Sequence, residues 1–388
     1  MVSLTDAISS APAYLRHGLP CDPYSRFPPS QVFDVSISPF WTIGSIAHGG
    51  YLLALLTRTS SEHQRLSASP HLDPAHLSSE FLTASIPGKA QVEVRVLSRA
   101  KRWTRLEAEL WQYDHPGPDT DDYVHAERVL RVRAHYLFTD LPSPHPAPTS
   151  SSSSSSGGGG VTFLDRPCPL LEHPGQVDMS QGGTKIPDKF RFKDGMRWAE
   201  VETKGEDEGR LKWGCWFELT GGEDVTESAG ESRPELALVP FFADCSKNGP
   251  ELLPAELRPG PSWYPTLTFS LDFKSKFPLV RAAPSPSSSS SSVVPQVARR
   301  TFGLFATTKT IHAGRHDLTV EVWTAPCELG EKATVGEGWR AQARLVGMAI
   351  TVPIELNHAR ARRSLPGDSS STESESDGEG NGNGKARL

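Results

Sequence analysis

The sequence predicts an α+β protein made of two similar units in tandem, each a curved antiparallel sheet wrapped around a central helix. Three observations lead to this fold class. One short segment has the pattern of a helix that is apolar on all sides, several strand-like segments follow it, and the same order returns in the second half of the chain. A helix without a polar face must be buried all round, and a sheet that wraps it meets this need.

The central helix of the first unit is predicted from AHGGYLLALL, at residues 47–56. Read at about 3.6 residues per turn, its apolar side chains cover the whole circumference. The segment is far shorter than the roughly 20 residues that span a bilayer, so we expect it inside the protein and not inside a membrane.

Strand-like segments flank this helix. One precedes it, and four follow it with alternating or β-rich patterns; the five lie at 32–38, 76–84, 90–98, 103–113 and 123–138. In QVEVRVL, for example, Val92, Val94 and Val96 share one face. Because four consecutive strands follow a single helix, the pattern predicts an antiparallel sheet and not an alternating α/β sheet.

The second unit repeats the order of the first. A strand at 212–220 and a helix at 234–245 precede four further predicted strands, at 263–273, 300–311, 317–325 and 340–351. The predicted domains are therefore an N-terminal unit at 1–141 and a C-terminal unit at 161–363.

Low-complexity segments separate and extend these units. A Ser/Gly-rich segment at 142–160 is typical of a flexible linker, and a shorter Ser-rich segment at 283–294 predicts a loop. Residues 364–388 are polar and poor in apolar side chains, so we expect a disordered tail.

Composition and missing motifs limit the function classes. The formal net charge of −6 gives no general attraction to nucleic acid. Five widely spaced cysteines without a CxxC pair argue against a disulfide framework or a structural zinc site. GxSxG, HExxH, Walker and GxGxxG motifs are absent, so we predict neither a metal nor another cofactor. Because the sequence shows neither a signal-like nor a membrane-spanning segment, we expect a soluble intracellular protein.

The motifs WTIGSIAHGGYLLALL, HLSSEFLTASIPGKAQVEVRVL and WTRLEAELWQ resemble the first half of double hot dog acyl-CoA thioesterases of the type II and thioesterase-like superfamily. FFADC followed by WYPTLTFSLDF resembles their second half. The likeness covers most of residues 25–140 and 210–353. It implies a tandem double hot dog fold that hydrolyses fatty acyl-CoA to free fatty acid and coenzyme A.

In that family an Asp, a Thr and a Gln position a water against the thioester carbonyl, and the resemblance implies Asp244 and Thr266 for the first two. The family Gln lies in the last strand, where this chain has Leu345 at the matching position and Gln342 three residues earlier. Either Gln342 completes the trio through a register shift or a bulge, or the activity is weakened or altered.

The residues themselves support part of this assignment. Asp244 ends an apolar helix, where a carboxylate can orient or deprotonate a water, although a helix-terminal Asp also commonly faces solvent. Thr266 alternates with Thr268, Ser270 and Asp272, a pattern that by itself is typical of the solvent-facing side of a strand.

Substrate contacts are predicted at two places. His48, Gly49 and Gly50 open the first helix, whose N-terminal N–H groups can bind a carbonyl that glycines allow to approach closely. The alternative is that the two glycines only relieve crowding between helix and sheet. Arg102, in the basic segment SRAKRW, can meet the phosphates of coenzyme A, but a solvated turn explains it equally well.

The chain ends in Ala386, Arg387 and Leu388, a variant of the Ser-Lys-Leu signal of peroxisomal proteins. We therefore expect the peroxisomal import receptor as a partner and the peroxisome as the location, with the cytoplasm as the alternative. An acyl-CoA substrate is the other expected partner, and a homo-oligomer stays open. Two rival functions also stay open: acyl-CoA or lipid binding without hydrolysis, and hydrolysis of another, polyketide-type acyl thioester.

Overall fold

The computed structural model describes thirteen parts of the chain: 4–9, 16–17, 30–113, 128–141, 166–177, 190–204, 209–220, 234–260, 262–276, 297–298, 300–332, 335–336 and 338–357. The predicted linker at 142–160, the Ser-rich loop at 283–294 and the tail with its terminal tripeptide at 364–388 lie outside the described residues.

The described part of the chain contains short and long elements of both kinds. The helices are α1 (Leu4–Ser9), α2 (Gly49–Leu66), α3 (Pro234–Ala243) and α4 (Trp339–Gln342). The strands of the first half are β1 (Arg16–His17), β2 (Gln31–Ile37), β3 (Thr42–Ile43), β4 (Ile46–Ala47), β5 (Asp73–Phe81), β6 (Gly88–Arg99), β7 (Thr104–Tyr113) and β8 (Arg128–Thr139). Those of the second half are β9 (Met196–Glu200), β10 (Leu211–Leu219), β11 (Ser262–Trp263), β12 (Thr266–Phe273), β13 (Thr301–Thr308), β14 (Ile311–His312), β15 (Arg315–His316), β16 (Leu318–Thr324), β17 (Leu345–Pro353) and β18 (Leu356–Asn357).

Twelve strands form one antiparallel sheet in the order β1-β2-β6-β7-β8-β5-β12-β17-β16-β13-β10-β9. The strands of each half stand together in this order, and the pairing of β5 with β12 joins the two halves, with Leu77 opposite Leu271. The prediction gave each unit a sheet of its own. The structure corrects this, because main-chain hydrogen bonds continue across the seam and make a single sheet.

The two long helices lie against this sheet and against each other. α2 contacts β2, β5, β6 and β7, whereas α3 contacts β13, β16 and β17. All side chains from Tyr51 to Leu56 are at most 2% exposed, so the prediction of a helix buried on every side is confirmed. The helix continues ten residues further than predicted, to Leu66, and its polar second half is also partly buried.

Two local features of the second half differ from the predicted strands and bear on the site. β17 begins at Leu345, and the residues before it form the short helix α4 instead of strand. β12 carries an irregularity, because Thr266 pairs with Pro353 while Thr268 pairs with Val352. Of the helices in the described ranges, none is long and apolar enough to cross a membrane.

Candidate active site

The beginning of α2, the end of α3 and the beginning of β12 meet at a cavity of about 420 Å³. Much of its wall is aromatic, with contributions from Phe81, Phe190, Phe192, Trp198 and Phe217. The polar side chains of the wall come from both halves of the chain and include His48, Asp244, Thr266 and Thr351. The cavity therefore combines apolar surface with a compact polar group, as small-molecule sites commonly do.

Asp244 is held by hydrogen bonds from both halves. Its Oδ2 accepts from the backbone N–H of Gly50 at 2.6 Å, and its Oδ1 accepts from the hydroxyl of Thr266 at 3.2 Å. The carboxylate thus lies at the N-terminus of α2, where the helix dipole favours a negative charge. Each oxygen of a carboxylate has two lone pairs, so each retains one acceptor site for a water.

The surroundings of Asp244 also make its carboxyl group more basic. Burial raises the pKa above its ordinary value of 3.8, and it outweighs the opposing effects of the hydrogen bonds from the Gly50 amide and the Thr266 hydroxyl. A side chain that is only 11% exposed, next to apolar walls, is therefore a better proton acceptor than a carboxylate in water.

His48 caps helix α2 instead of pairing with Asp244. Its Nδ1 accepts a hydrogen bond from the backbone N–H of Tyr51 at 3.4 Å, so that nitrogen carries no proton to donate. Burial lowers the pKa of the ring, which is 4% exposed, and keeps it neutral at pH 7. The 3.7 Å between Nδ1 and Asp244 Oδ2 therefore joins two acceptors and is not an ion pair.

The two glycines allow α2 to approach Asp244 closely. A Cβ at Gly50 would lie 2.7 Å from Cβ of Asp244 and 2.9 Å from Cα of Phe241, and one at Gly49 would lie 2.9 Å from Asp244 Oδ2. Glycine at position 50 is therefore required by the contact between the helices. The Gly50 amide donates its hydrogen bond to Asp244. The Gly49 amide has no hydrogen-bond partner among the described residues, and Gly49 belongs to the cavity wall.

Thr266 reaches Asp244 because of the irregularity in β12. Strict alternation places Thr266 on the face of Thr268 and Ser270, away from the core, as its sequence pattern suggested. The bulge between Thr266 and Thr268 shifts the register by one residue and turns Thr266 toward the inner face. The solvent-facing interpretation of Thr266 is thereby corrected.

The structure does not bring Gln342 or Leu345 to the cavity. Gln342 is exposed and lies in α4, and Leu345 pairs with Trp323 at the start of β17. The residue of β17 that lines the cavity is Thr351. It follows Leu345 by six residues, which is about 20 Å along a strand that rises about 3.3 Å per residue. The prediction that Gln342 joins Asp244 and Thr266 is therefore corrected. The chain forms a short helix at Gln342, and the strand begins only at Leu345.

Arg102 lies far from the cavity as well. Arg102 lies in the exposed turn that follows the last residue of β6. The first residue of β6, Gly88, follows the cavity residue Ser85 by three positions. Twelve residues of strand separate these two ends by about 36 Å. The predicted contact with coenzyme A phosphates through Arg102 has no support from this placement. The targeting residues Ala386, Arg387 and Leu388 lie outside the described residues.

Thr351 is a polar cavity residue that the sequence analysis does not identify. It is 2% exposed and lies on the inward face of β17, between Ala349 and Pro353. A signal for it exists in the sequence, since GMAITVP alternates and Thr351 is the polar residue of the otherwise apolar, inward set. The sequence pattern predicts this strand at 340–351, so Thr351 falls at its predicted end, whereas the strand in the structure runs from Leu345 to Pro353.

Metal ligands are not assembled in the described part of the chain, where no group of three or more His, Cys, Asp or Glu side chains is placed to hold an ion. The residues at the cavity can instead accept a proton, donate hydrogen bonds to a carbonyl and surround an apolar chain.

Comparisons with known proteins relate the chain to thioesterases. Residues 37–135 match the family model described as the acyl-CoA thioesterase N-terminal domain. An uncharacterized protein of Mycobacterium tuberculosis is 28% identical over 119 residues, which are 30% of this chain and 39% of that protein. A second uncharacterized protein, from Mycobacterium bovis, matches to the same extent. The match therefore spans less than half the length of these relatives.

Solved structures extend the likeness over most of the fold. The crystal structure of an acyl-CoA thioesterase II, TesB2 from Mycobacterium marinum, has a TM-score of 0.51 and 10% sequence identity, covering 85% of this chain and 94% of that chain. A protein of unknown function with a hot dog fold from Alicyclobacillus acidocaldarius has a TM-score of 0.45 and 12% identity. The chain therefore shares the overall fold of that thioesterase II structure, and its residues 37–135 match the acyl-CoA thioesterase N-terminal domain model.

Proposed function

We propose that this protein hydrolyses acyl-CoA thioesters to a free fatty acid and coenzyme A. The observation that carries the proposal is the position of Asp244: a buried carboxylate, hydrogen-bonded to the first turn of α2, in the wall of a largely apolar cavity. We infer further that the two halves are tandem hot dog units. The repeated order of strand, helix and four strands supports this inference.

Water is the nucleophile of the proposed reaction. Asp244 accepts one proton of the water as the water oxygen bonds to the thioester carbon. The C–S bond then breaks, and the departing thiolate takes the proton back from the Asp244 carboxyl group. Thr266 donates to the other carboxylate oxygen and so fixes the orientation of the base.

The carbonyl oxygen needs a donor while it carries negative charge. The Gly49 amide supplies one, because it belongs to the N-terminus of α2 and has no hydrogen-bond partner in the described structure. Glycine is needed at residue 49, because a Cβ there would lie 2.9 Å from Asp244 Oδ2 and 3.2 Å from the Phe81 ring. The Gly50 amide thus holds the base Asp244 by a hydrogen bond, whereas the Gly49 amide donates to the carbonyl oxygen of the substrate.

The acyl chain occupies the aromatic part of the cavity. Each buried methylene stabilises binding by about 0.8 kcal/mol, so affinity rises with acyl length until the cavity is full. The wall formed by Phe190, Phe192 and Trp198 is the surface available for these contacts.

The test is release of free thiol from acyl-CoAs of increasing chain length, measured together with binding of the same compounds by calorimetry. Turnover with a KM that falls as the chain grows is the expected result. The second candidate function is acyl-CoA binding without hydrolysis, which is favoured by the absence of any Gln in β17. Tight binding of all chain lengths with no thiol release would overturn the hydrolase and leave this alternative.

A further inference from the structure

The inner face of β17 contributes one polar side chain to the cavity. Gly347, Ala349, Thr351 and Pro353 alternate along the strand, and Gly347 lies against Val239 of α3, which identifies this set as the inward one. Ala349 is fully buried, and Thr351 is 2% exposed in the cavity wall. A threonine is therefore placed where packing alone would favour valine, which has the same shape without the hydroxyl.

The Thr351 hydroxyl has no hydrogen-bond partner among the residues that the structure describes. Its Oγ1 is buried and forms no hydrogen bond with any other atom of the described residues. A buried hydroxyl without a partner destabilises a fold, and valine would avoid that cost. Because Thr351 also lines the cavity, a molecule that enters the cavity can supply the missing hydrogen-bond partner.

Strand pairing places Thr351 next to the base. Thr266 stands opposite Pro353, and Thr351 lies two residues away from Pro353 on the same face. Such diagonal neighbours have their Cβ atoms about 7–8 Å apart. One water that makes two hydrogen bonds of about 2.8 Å each bridges a gap of this size. Asp244 accepts a hydrogen bond from Thr266 and therefore lies at the Thr266 end of the gap between Thr266 and Thr351.

We infer that Thr351 holds the hydrolytic water, with Asp244 as its second anchor. This inference rests on the proposed function. The water directs one hydrogen to the Asp244 carboxylate and the other to Thr351 Oγ1, which leaves a lone pair directed at the thioester carbon. When the carbon–oxygen bond forms, the first hydrogen passes to Asp244 and then to the departing thiolate, while the second stays on the product acid. Thr351 itself exchanges no proton.

The test compares Thr351→Val and Thr351→Ser with the wild type in thiol release from one acyl-CoA substrate, with melting temperatures recorded alongside. The valine variant is expected to lose about 100-fold in kcat. Its KM should stay within about twofold of wild type, and its Tm should stay equal or rise because an unpaired buried hydroxyl has been removed. The serine variant retains a hydroxyl and should recover most of kcat. Thr268→Val, an exposed threonine of β12, is the matched control.

The outcomes separate this inference from the proposed function. An inactive wild type overturns the hydrolase and the role of Thr351 with it. An active wild type with an equally active Thr351→Val variant overturns the role of Thr351 alone. A valine variant that loses kcat and Tm together, without recovery by serine, shows a packing role and overturns the inference as well.

Discussion

At the residue scale, the pH dependence of kcat/KM reports the ionisation of Asp244. Activity requires the carboxylate form, and burial raises the pKa of Asp244 above 3.8. We therefore expect activity to fall on the acidic side with a midpoint above 3.8. Thr266→Val removes a hydrogen bond to the charged form, which raises the pKa further, so the midpoint should move to higher pH. A midpoint that moves to lower pH, or stays fixed, contradicts this assignment of the base.

Some of these residue positions follow from the sequence, and others do not. Asp244 and Thr266 were selected by resemblance to a family, and the structure brings them within hydrogen-bond distance. The sequence pattern alone placed Thr266 on the wrong face, because a one-residue bulge reverses the alternation and leaves no signature in these side chains. Gln342 was misplaced for a related reason, since the start of β17 depends on the helical turn before it.

At the element scale, the crossing of α2 and α3 fixes the site. Gly50→Ala would place a methyl group 2.7 Å from Cβ of Asp244 and 2.9 Å from the Phe241 backbone, so one helix must move. We expect a loss of stability of about 1–3 kcal/mol and a fall in kcat of about 100-fold as the carboxylate is displaced. Thermal unfolding and thiol release measure the two effects. Wild-type values for both would show that the helices tolerate the added Cβ.

The elements themselves were largely predictable because their patterns are strong. An all-apolar helix and runs such as QVEVRVL specify type and burial directly. The extension of α2 to Leu66 was missed because its second half is polar, and Thr57, His63 and Gln64 are buried by contacts with distant parts of the fold. Burial of that kind depends on tertiary partners that no local pattern reveals.

At the scale of the whole molecule, the seam between β5 and β12 makes the two halves one sheet. Leu77 and Leu271 face each other across it and are both fully buried. Leu271→Ala should therefore destabilise the protein by about 2–5 kcal/mol. Because the sheet is continuous, we expect far-UV circular dichroism to show one unfolding transition, displaced to lower temperature. Two separate transitions, only one of them shifted, would show that the halves unfold independently.

Asp244 is the proposed base, and the most direct test of this role is thiol release from an acyl-CoA by Asp244→Asn beside the wild type. Asp272→Asn, a half-exposed carboxylate of the same strand as Thr266, is the control. The asparagine variant at 244 should lose at least about 1000-fold in kcat. It should nevertheless stay folded at neutral pH. The folded state binds the Asp244 proton more tightly than the unfolded state, so stability falls as pH rises through this ionisation, and a neutral amide avoids the loss.

We therefore expect an inactive, folded Asp244→Asn protein next to a fully active Asp272→Asn protein. If Asp244→Asn hydrolyses the thioester at the wild-type rate, Asp244 is not the base and the cavity is not the site of hydrolysis.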